Sequence, residues 1–161
     1  MRTALISLVL GAVLLPMTAQ AAKPASEDAV KTAVTQQLNH YEAALNASDV
    51  DRVMTLYAND AVFMPQHSPP AVGRDAVRAA YRQVFNTIKL DIRFTIDEIR
   101  PLSRDWAFAR TRSDGTVKPL SGDRAASAEG NQEIFLLHRE SDGQWRFARY
   151  IFSTTNPPKL P

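Results

Sequence analysis

Arg110, Arg112 and Asp114 recur at every second position of Trp106-Ala107-Phe108-Ala109-Arg110-Thr111-Arg112-Ser113-Asp114. In an extended chain that spacing puts all three, with Trp106 and Phe108, on one face. A guanidinium on such a face can grip a carboxylate or an enolate through two parallel hydrogen bonds. A paired aspartate stays ionised, and an ionised carboxylate can take a proton from a substrate. Glu133, in Gln132-Glu133-Ile134-Phe135, and Arg149, in Phe147-Ala148-Arg149-Tyr150, lie on later extended segments. If the Arg112 face points inward, Arg112, Asp114, Glu133 and Arg149 form one polar cluster lining a pocket. If it points outward, they are cross-strand charges in water, worth little. Trp106 and Phe108 argue against a fully solvated face, and a dimer interface would also hide them.

Composition narrows the chemistry. The chain has 161 residues, 45% hydrophobic and 22% charged, which fits one globular domain. It contains no Cys, so disulfides, zinc–thiolate sites, iron–sulfur ligation and a Cys nucleophile are excluded. His40, His67 and His138 are the only histidines, too few for an all-histidine metal site with other work to do. Nineteen Lys and Arg against 17 Asp and Glu give +2, spread along the chain, which is no footprint for nucleic acid. No Gly-rich phosphate loop, H-E-x-x-H or G-x-S-x-G occurs, so no cofactor and no metal is expected. Acid–base and hydrogen-bond chemistry remain.

The elements that must position these residues read as follows. Met1-Arg2-Thr3, an apolar run from Ala4 to Leu15, Pro16 and Ala19-Gln20-Ala21 make the three-part pattern of a secretory signal peptide over residues 1–21. The run is about 12 residues, whereas a spanning helix needs about 20. The mature chain is therefore expected to be exported, periplasmic or secreted, with no membrane segment after cleavage. A polar lead over 22–27 precedes Val30, Val34, Leu38, Tyr41 and Leu45, one face of a helix over roughly 27–46. Asn46-Ala47-Ser48 matches a glycosylation sequon but reads as helix punctuation, with Ser48 and Asp51 as a capping box for a second helix. Ala61–Met64 reads as a short strand, and three prolines among residues 65–70 forbid its continuation. Val77, Tyr81, Val84 and Ile88 mark a third helix.

From Leu90 the period becomes two, slipping at Glu98-Ile99 where a bulge or strand end is expected. Strands follow over Trp106–Lys118, Gly130–Glu140 and Trp145–Thr154, the last two joined by Asp142-Gly143. On the last, Trp145, Phe147, Arg149, Ile151 and Ser153 share one face and Arg146, Ala148, Tyr150 and Phe152 the other. Aromatics on both faces predict burial on both sides. A Pro-rich tail covers 156–161. The order α-α-β-α-β-β-β-β predicts an α+β domain over 28–155, three N-terminal helices on a strongly curved, mainly antiparallel sheet.

Tyr41-Glu42-Ala43-Ala44-Leu45-Asn46-Ala47-Ser48-Asp49-Val50-Asp51 and Leu56-Tyr57-Ala58-Asn59-Asp60-Ala61-Val62 resemble the opening of NTF2-like domains. Gly73-Arg74-Asp75-Ala76-Val77 and Asp142-Gly143-Gln144-Trp145-Arg146-Phe147 continue the resemblance. The relatives include ketosteroid isomerases, SnoaL-like cyclases and the DUF4440 or SgcJ/EcaC group. The resemblance implies a cone with an apolar pocket, commonly a homodimer through the sheet face. It fixes no single chemistry. It matches Tyr41 to a tyrosine that donates to a developing oxyanion. It matches Glu133 to an acid kept protonated by apolar surroundings, with core packing for Tyr41 and an arginine pair for Glu133 as the alternatives. The isomerase base falls on Met64 or Pro65, which cannot accept a proton, so steroid isomerisation by that base is not expected. His67, in the loop beyond, is the nearest replacement. Tyr57, Phe63, Tyr81 and Phe85 are the candidate apolar lining, alongside Arg112 and Arg149 as ligand-binding residues.

Three functions stay open at this point. One is a cofactor-free enzyme acting on a small carbonyl compound through Tyr41, Asp114 and Glu133. The second is an exported carrier of a small, largely apolar ligand. The third is a non-catalytic assembly domain whose pocket is filled by its own side chains.

Overall fold

The computed structural model describes residues 26–157, so the expected signal peptide and most of the tail lie outside the described residues. Helix α1 (Glu27–Ala47) starts at Ser26, whose hydroxyl accepts the Ala29 amide at 3.2 Å. It buries Val30, Val34, Leu38, Tyr41 and Leu45 along the expected stripe. Ser48 ends it in a left-handed conformation, φ 55°, and donates its amide back to the last turn. The cap of α2 (Val50–Thr55) is therefore Asp49, one residue later than the capping box suggested, accepting the Arg52 amide.

Strand β1 (Tyr57–Met64) begins earlier than the sequence suggested, and the two-residue β2 (Ala71–Val72) pairs back on it after the proline loop. Helix α3 (Arg74–Thr87) buries Val77, Tyr81 and Phe85. Four long strands complete the chain: β3 (Ile88–Pro101), β4 (Trp106–Pro119), β5 (Ser127–Arg139) and β6 (Trp145–Thr154). They join one six-stranded sheet in the order β2-β1-β6-β5-β4-β3, antiparallel except for β1 beside β6. The expected slip in β3 is a register shift between Ile96 and Glu98. Such irregularities bend a sheet, and α1 packs across β3, β4 and β6. Among the described residues, no helix is long and apolar enough to cross a membrane.

The β3 edge is not bare. The Asn46 side chain accepts the Ile92 amide at 2.9 Å and donates to the Ile92 carbonyl at 2.7 Å. Glu42 accepts the Phe94 amide at 2.6 Å. Side chains of α1 thus take the place of a seventh strand. Asn46, the sequon residue, is committed to this work.

Two expectations about strand faces are corrected. On β4 the buried row is Ala107, Ala109, Thr111 and Ser113, while Trp106, Arg110, Arg112 and Asp114 face outward. Helix α1 lies across this strand, so the inward row holds small residues and the bulky ones are displaced to the outer face. Arg110 and Arg112 both reach Asp97 of β3 there, at 2.9 and 3.0 Å. On β6 the pairing shifts between Leu136 and Leu137, leaving Ala148 as an extra residue. Trp145, Phe147 and Tyr150 therefore all point inward, and Arg149 and Ile151 outward.

Candidate active site

The inner face of the sheet is graded. Ala107, Ala109, Phe135 and Leu137 at one end are apolar and fully buried. Thr111, Ser113, Asn131 and Glu133 at the other end are polar and also buried. The apolar end packs solidly against α1. The polar end borders a cavity of about 140 Å³, walled by Leu45 of α1, Tyr81 and Val84 of α3, and Leu90, Ile92 and Phe94 of β3. Phe63, Tyr150 and Phe152 close its far side in a stack of rings, with Phe63 lying 5.1 Å from Tyr81 and 5.3 Å from Tyr150.

Glu133 lines this cavity and is only 3% exposed. Its partners are two hydroxyls from the neighbouring strand, Thr111 Oγ1 on one carboxyl oxygen and Ser113 Oγ on the other at 2.6 Å. The arginine pair considered from sequence is not formed, because the arginines of β4 lie on its other face. Burial pushes the Glu133 carboxyl above the usual carboxylate range, against the pull of the two hydroxyls. A folded-state value above the unfolded one makes the neutral form the more stably folded one. That contribution is complete below about pH 4.5 and is lost as pH rises through the folded value. Glu133→Gln is therefore expected to gain stability relative to the wild type between pH 4 and pH 8. Urea titrations across that range check it; a difference that stays constant with pH would contradict it.

The second polar feature is a chain of three phenols. The Tyr81 hydroxyl bonds to Tyr41 on one side and to Tyr57, at 2.7 Å, on the other. Burial pushes all three above the ordinary phenol range, so they stay protonated donors at neutral pH. Tyr41 and Tyr81 line the cavity; Tyr57 stands behind Tyr81 and fixes its hydroxyl.

Of the residues singled out in the sequence, the cavity brings together Tyr41, Phe63, Tyr81 and Glu133. Phe85 packs on Tyr81, 5.8 Å between ring centres, without lining the space. Asp114, Arg112 and Arg149 face away from it. Arg149 instead donates to the Asp60 carbonyl at 3.2 Å. His67 is exposed in the loop after β1, with φ 59° and its Nδ1 3.3 Å from Gln66, and it does not reach the cavity either. Thr111, Ser113, Asn131 and Glu129 were missed. Thr111 and Ser113 alternate with the β4 arginines that drew attention, and Asn131 and Glu129 stand two and four residues before Glu133 on the same face of β5. Among the described residues, no three His, Asp or Glu side chains gather closely enough to hold a metal ion.

Residues 38–152 match the family of the SnoaL-like domain, most of the chain. This protein belongs to the SnoaL-like family. Its fold is that of a ketosteroid isomerase-like protein from Erwinia carotovora atroseptica, 32% identical with a TM-score of 0.75, over 78% of this chain and 96% of that one. A provisionally named scytalone dehydratase from Novosphingobium aromaticivorans shares the fold at 19% identity and a TM-score of 0.69, over 78% and 84% of the two chains. An NTF-2 like protein of unknown function from Shewanella oneidensis does so at 22% and 0.59, over 76% and 97%. The SnoaL-like assignment accounts for the helices before the sheet. A fold of this kind fixes no single chemistry.

Proposed function

We propose that this SnoaL-like protein binds a small, single-ring, largely apolar molecule bearing a carbonyl or hydroxyl oxygen, and that it performs cofactor-independent acid–base chemistry on it. One observation carries the reading. A desolvated carboxyl, Glu133, and a chain of buried phenols ending at Tyr41 open on the same largely apolar cavity. Phenols, and a carboxyl whose neutral form burial favours, are donors suited to an oxygen on which charge develops.

Size supports a single ring. A cavity of about 150 Å³ holds benzene, and this one is about 140 Å³. Drug-sized ligands occupy roughly 300 Å³ or more. A four-ring steroid is therefore a poor fit, and the absence of a proton acceptor at Met64 and Pro65 argues the same way. The leader-like pattern of residues 1–21 supports export as part of this reading. Assembly through a self-filled cone is the weaker reading, because the ring stack leaves this space unfilled beside an acid.

Cyclohexanone and phenol, added at millimolar concentration, are expected to raise the melting temperature of the purified protein and to shift methyl resonances of Leu90 and Ile92. A steroid ketone should do neither. Glu133→Gln should weaken cyclohexanone less than it alters any turnover. Failure of both single-ring probes to bind would remove the proposal.

A further inference from the structure

The cavity holds a second carboxyl. Glu129, Asn131 and Glu133 stand at alternate positions on the inward face of β5, and all three line the space. Glu129 is half-buried at its outer end, where Glu133 is sealed. A short path joins the two acids. Glu129 Oε1 accepts from Asn131 Nδ2 at 3.1 Å, the same nitrogen donates to Ser113 Oγ at 3.4 Å, and Ser113 Oγ donates to Glu133 Oε1 at 2.6 Å. The two carboxyl oxygens therefore lie no more than roughly 9 Å apart, the combined length of those bonds.

We propose that Glu129 is the general base of this site and that Glu133, with the Tyr41–Tyr81 hydroxyls, holds the substrate oxygen. The proposal rests on the single-ring acid–base reading above. Three observations lead to it. The strand position marked for a base holds Met64 or Pro65, so a proton acceptor must come from elsewhere in the cavity, and Glu129 and Glu133 are the carboxyls that line it. Their surroundings divide the two roles, since Glu129 reaches solvent and Glu133 is sealed among the strands. Between them stands an amide, which donates hydrogen bonds without passing a proton on, so the two acids do not share one proton as a directly bonded pair would. Asn131 is then a positioning residue. It is 9% exposed, its nitrogen is used on both sides, and its own carbonyl oxygen has no protein partner.

The step balances without a co-reactant. A proton leaves the carbon beside a ring carbonyl for a Glu129 carboxylate oxygen. The C–H electron pair forms the new C=C bond, and the carbonyl π pair moves onto oxygen, which takes hydrogen bonds from Glu133 and the phenols. Reversal returns a proton from Glu129 to carbon. Because Glu129 reaches solvent, that proton exchanges with water between the two events. The substrate class is a single-ring ketone with an acidic C–H beside the carbonyl.

Cyclohexanone in D2O, followed by proton NMR, tests this. Wild-type protein should replace the ring hydrogens beside the carbonyl faster than buffer does. Glu129→Gln keeps the acceptor for Asn131 and should slow the exchange by about 100-fold or more. Its affinity for cyclohexanone, read from chemical-shift titration, should stay within about threefold of wild type. Glu129→Asp should restore part of the rate, a rescue that a purely structural role would not give. Wild-type protein that binds cyclohexanone without accelerating exchange, or a Glu129→Gln variant that exchanges at the wild-type rate, overturns the assignment to Glu129. Absence of binding by the wild type instead overturns the proposed function on which it rests.

Discussion

Gly115→Ala will cost about 3 kcal/mol or more and will deform the cavity wall. A Cβ at position 115 would stand 2.1 Å from the Asp91 carbonyl oxygen and 2.7 Å from the Ile92 Cα. Both neighbours are backbone, so no side chain can swing aside. Strand β3 would have to move away from β4 at the Ile92–Gly115 pair. It has nowhere to go, because Asn46 holds the amide and carbonyl of Ile92 from the other side. The φ of 155° at Gly115 adds to the strain for a residue with a side chain. Ile92 is itself a wall of the cavity, so the loss of stability should come with weaker binding of single-ring probes. Urea denaturation measures the first effect and probe titration the second. A variant within about 1 kcal/mol of wild type would mean that the hairpin yields far more easily than its packing implies.

Tyr81→Phe is the second large loss, expected at about 2–4 kcal/mol. Tyr81 is the centre of the phenol chain, so removing its hydroxyl withdraws the partner of Tyr41 and of Tyr57 together. Both are fully buried, and a buried hydroxyl without a partner loses its hydration with nothing in return. Tyr57→Phe is the informative comparison. It removes an end of the chain, leaves Tyr81 bonded to Tyr41, and should cost about 1 kcal/mol. The order of the two variants by chemical denaturation is the check; equal losses would show that the Tyr41 hydroxyl is not left unpaired when that of Tyr81 is removed. Tyr41, freed from Tyr81, would also become a less directed donor to any ligand oxygen.

Much of this architecture could be read from the residues. The 4-4-3-4 spacing of Val30 to Leu45 gave α1 its buried stripe, and strict alternation from Leu90 onward gave the strands and the β3 irregularity. The faces were harder. Trp106 and Phe108 argued that their side of β4 is covered, yet the inward row is Ala107, Ala109, Thr111 and Ser113. Apolar bulk is a guide to burial only where there is room for it, and the room beneath α1 is set by helix-to-sheet distance, which one strand's sequence does not reveal. Arg149 failed for a different reason. One extra residue at Ala148 inverts every later side chain on β6, and nothing in the local sequence announces it.

The site was half legible. Tyr41, Phe63, Tyr81 and Glu133 line one cavity. What sequence could not supply was partnership across strands. Glu133 is held by Thr111 and Ser113, two ordinary small residues whose importance comes only from their register opposite β5. A strand starting at Gly130, as the sequence suggests, leaves Glu129 outside it. Strand β5 instead begins at Ser127, which carries Glu129 onto the inward row.

The clamp of Asn46 and Glu42 on β3 has a bearing on solubility. A sheet edge with free amides is a template on which another chain can crystallise a strand, and that is how many β-rich proteins aggregate. Here one edge strand has its exposed peptide groups at Ile92 and Phe94 occupied by a helix, and the opposite edge is a two-residue stub beside Pro69 and Pro70. The β3–β6 meander is thereby closed to a further strand at Ile92 and Phe94. The helix that walls the cavity is also a guard on the sheet edge.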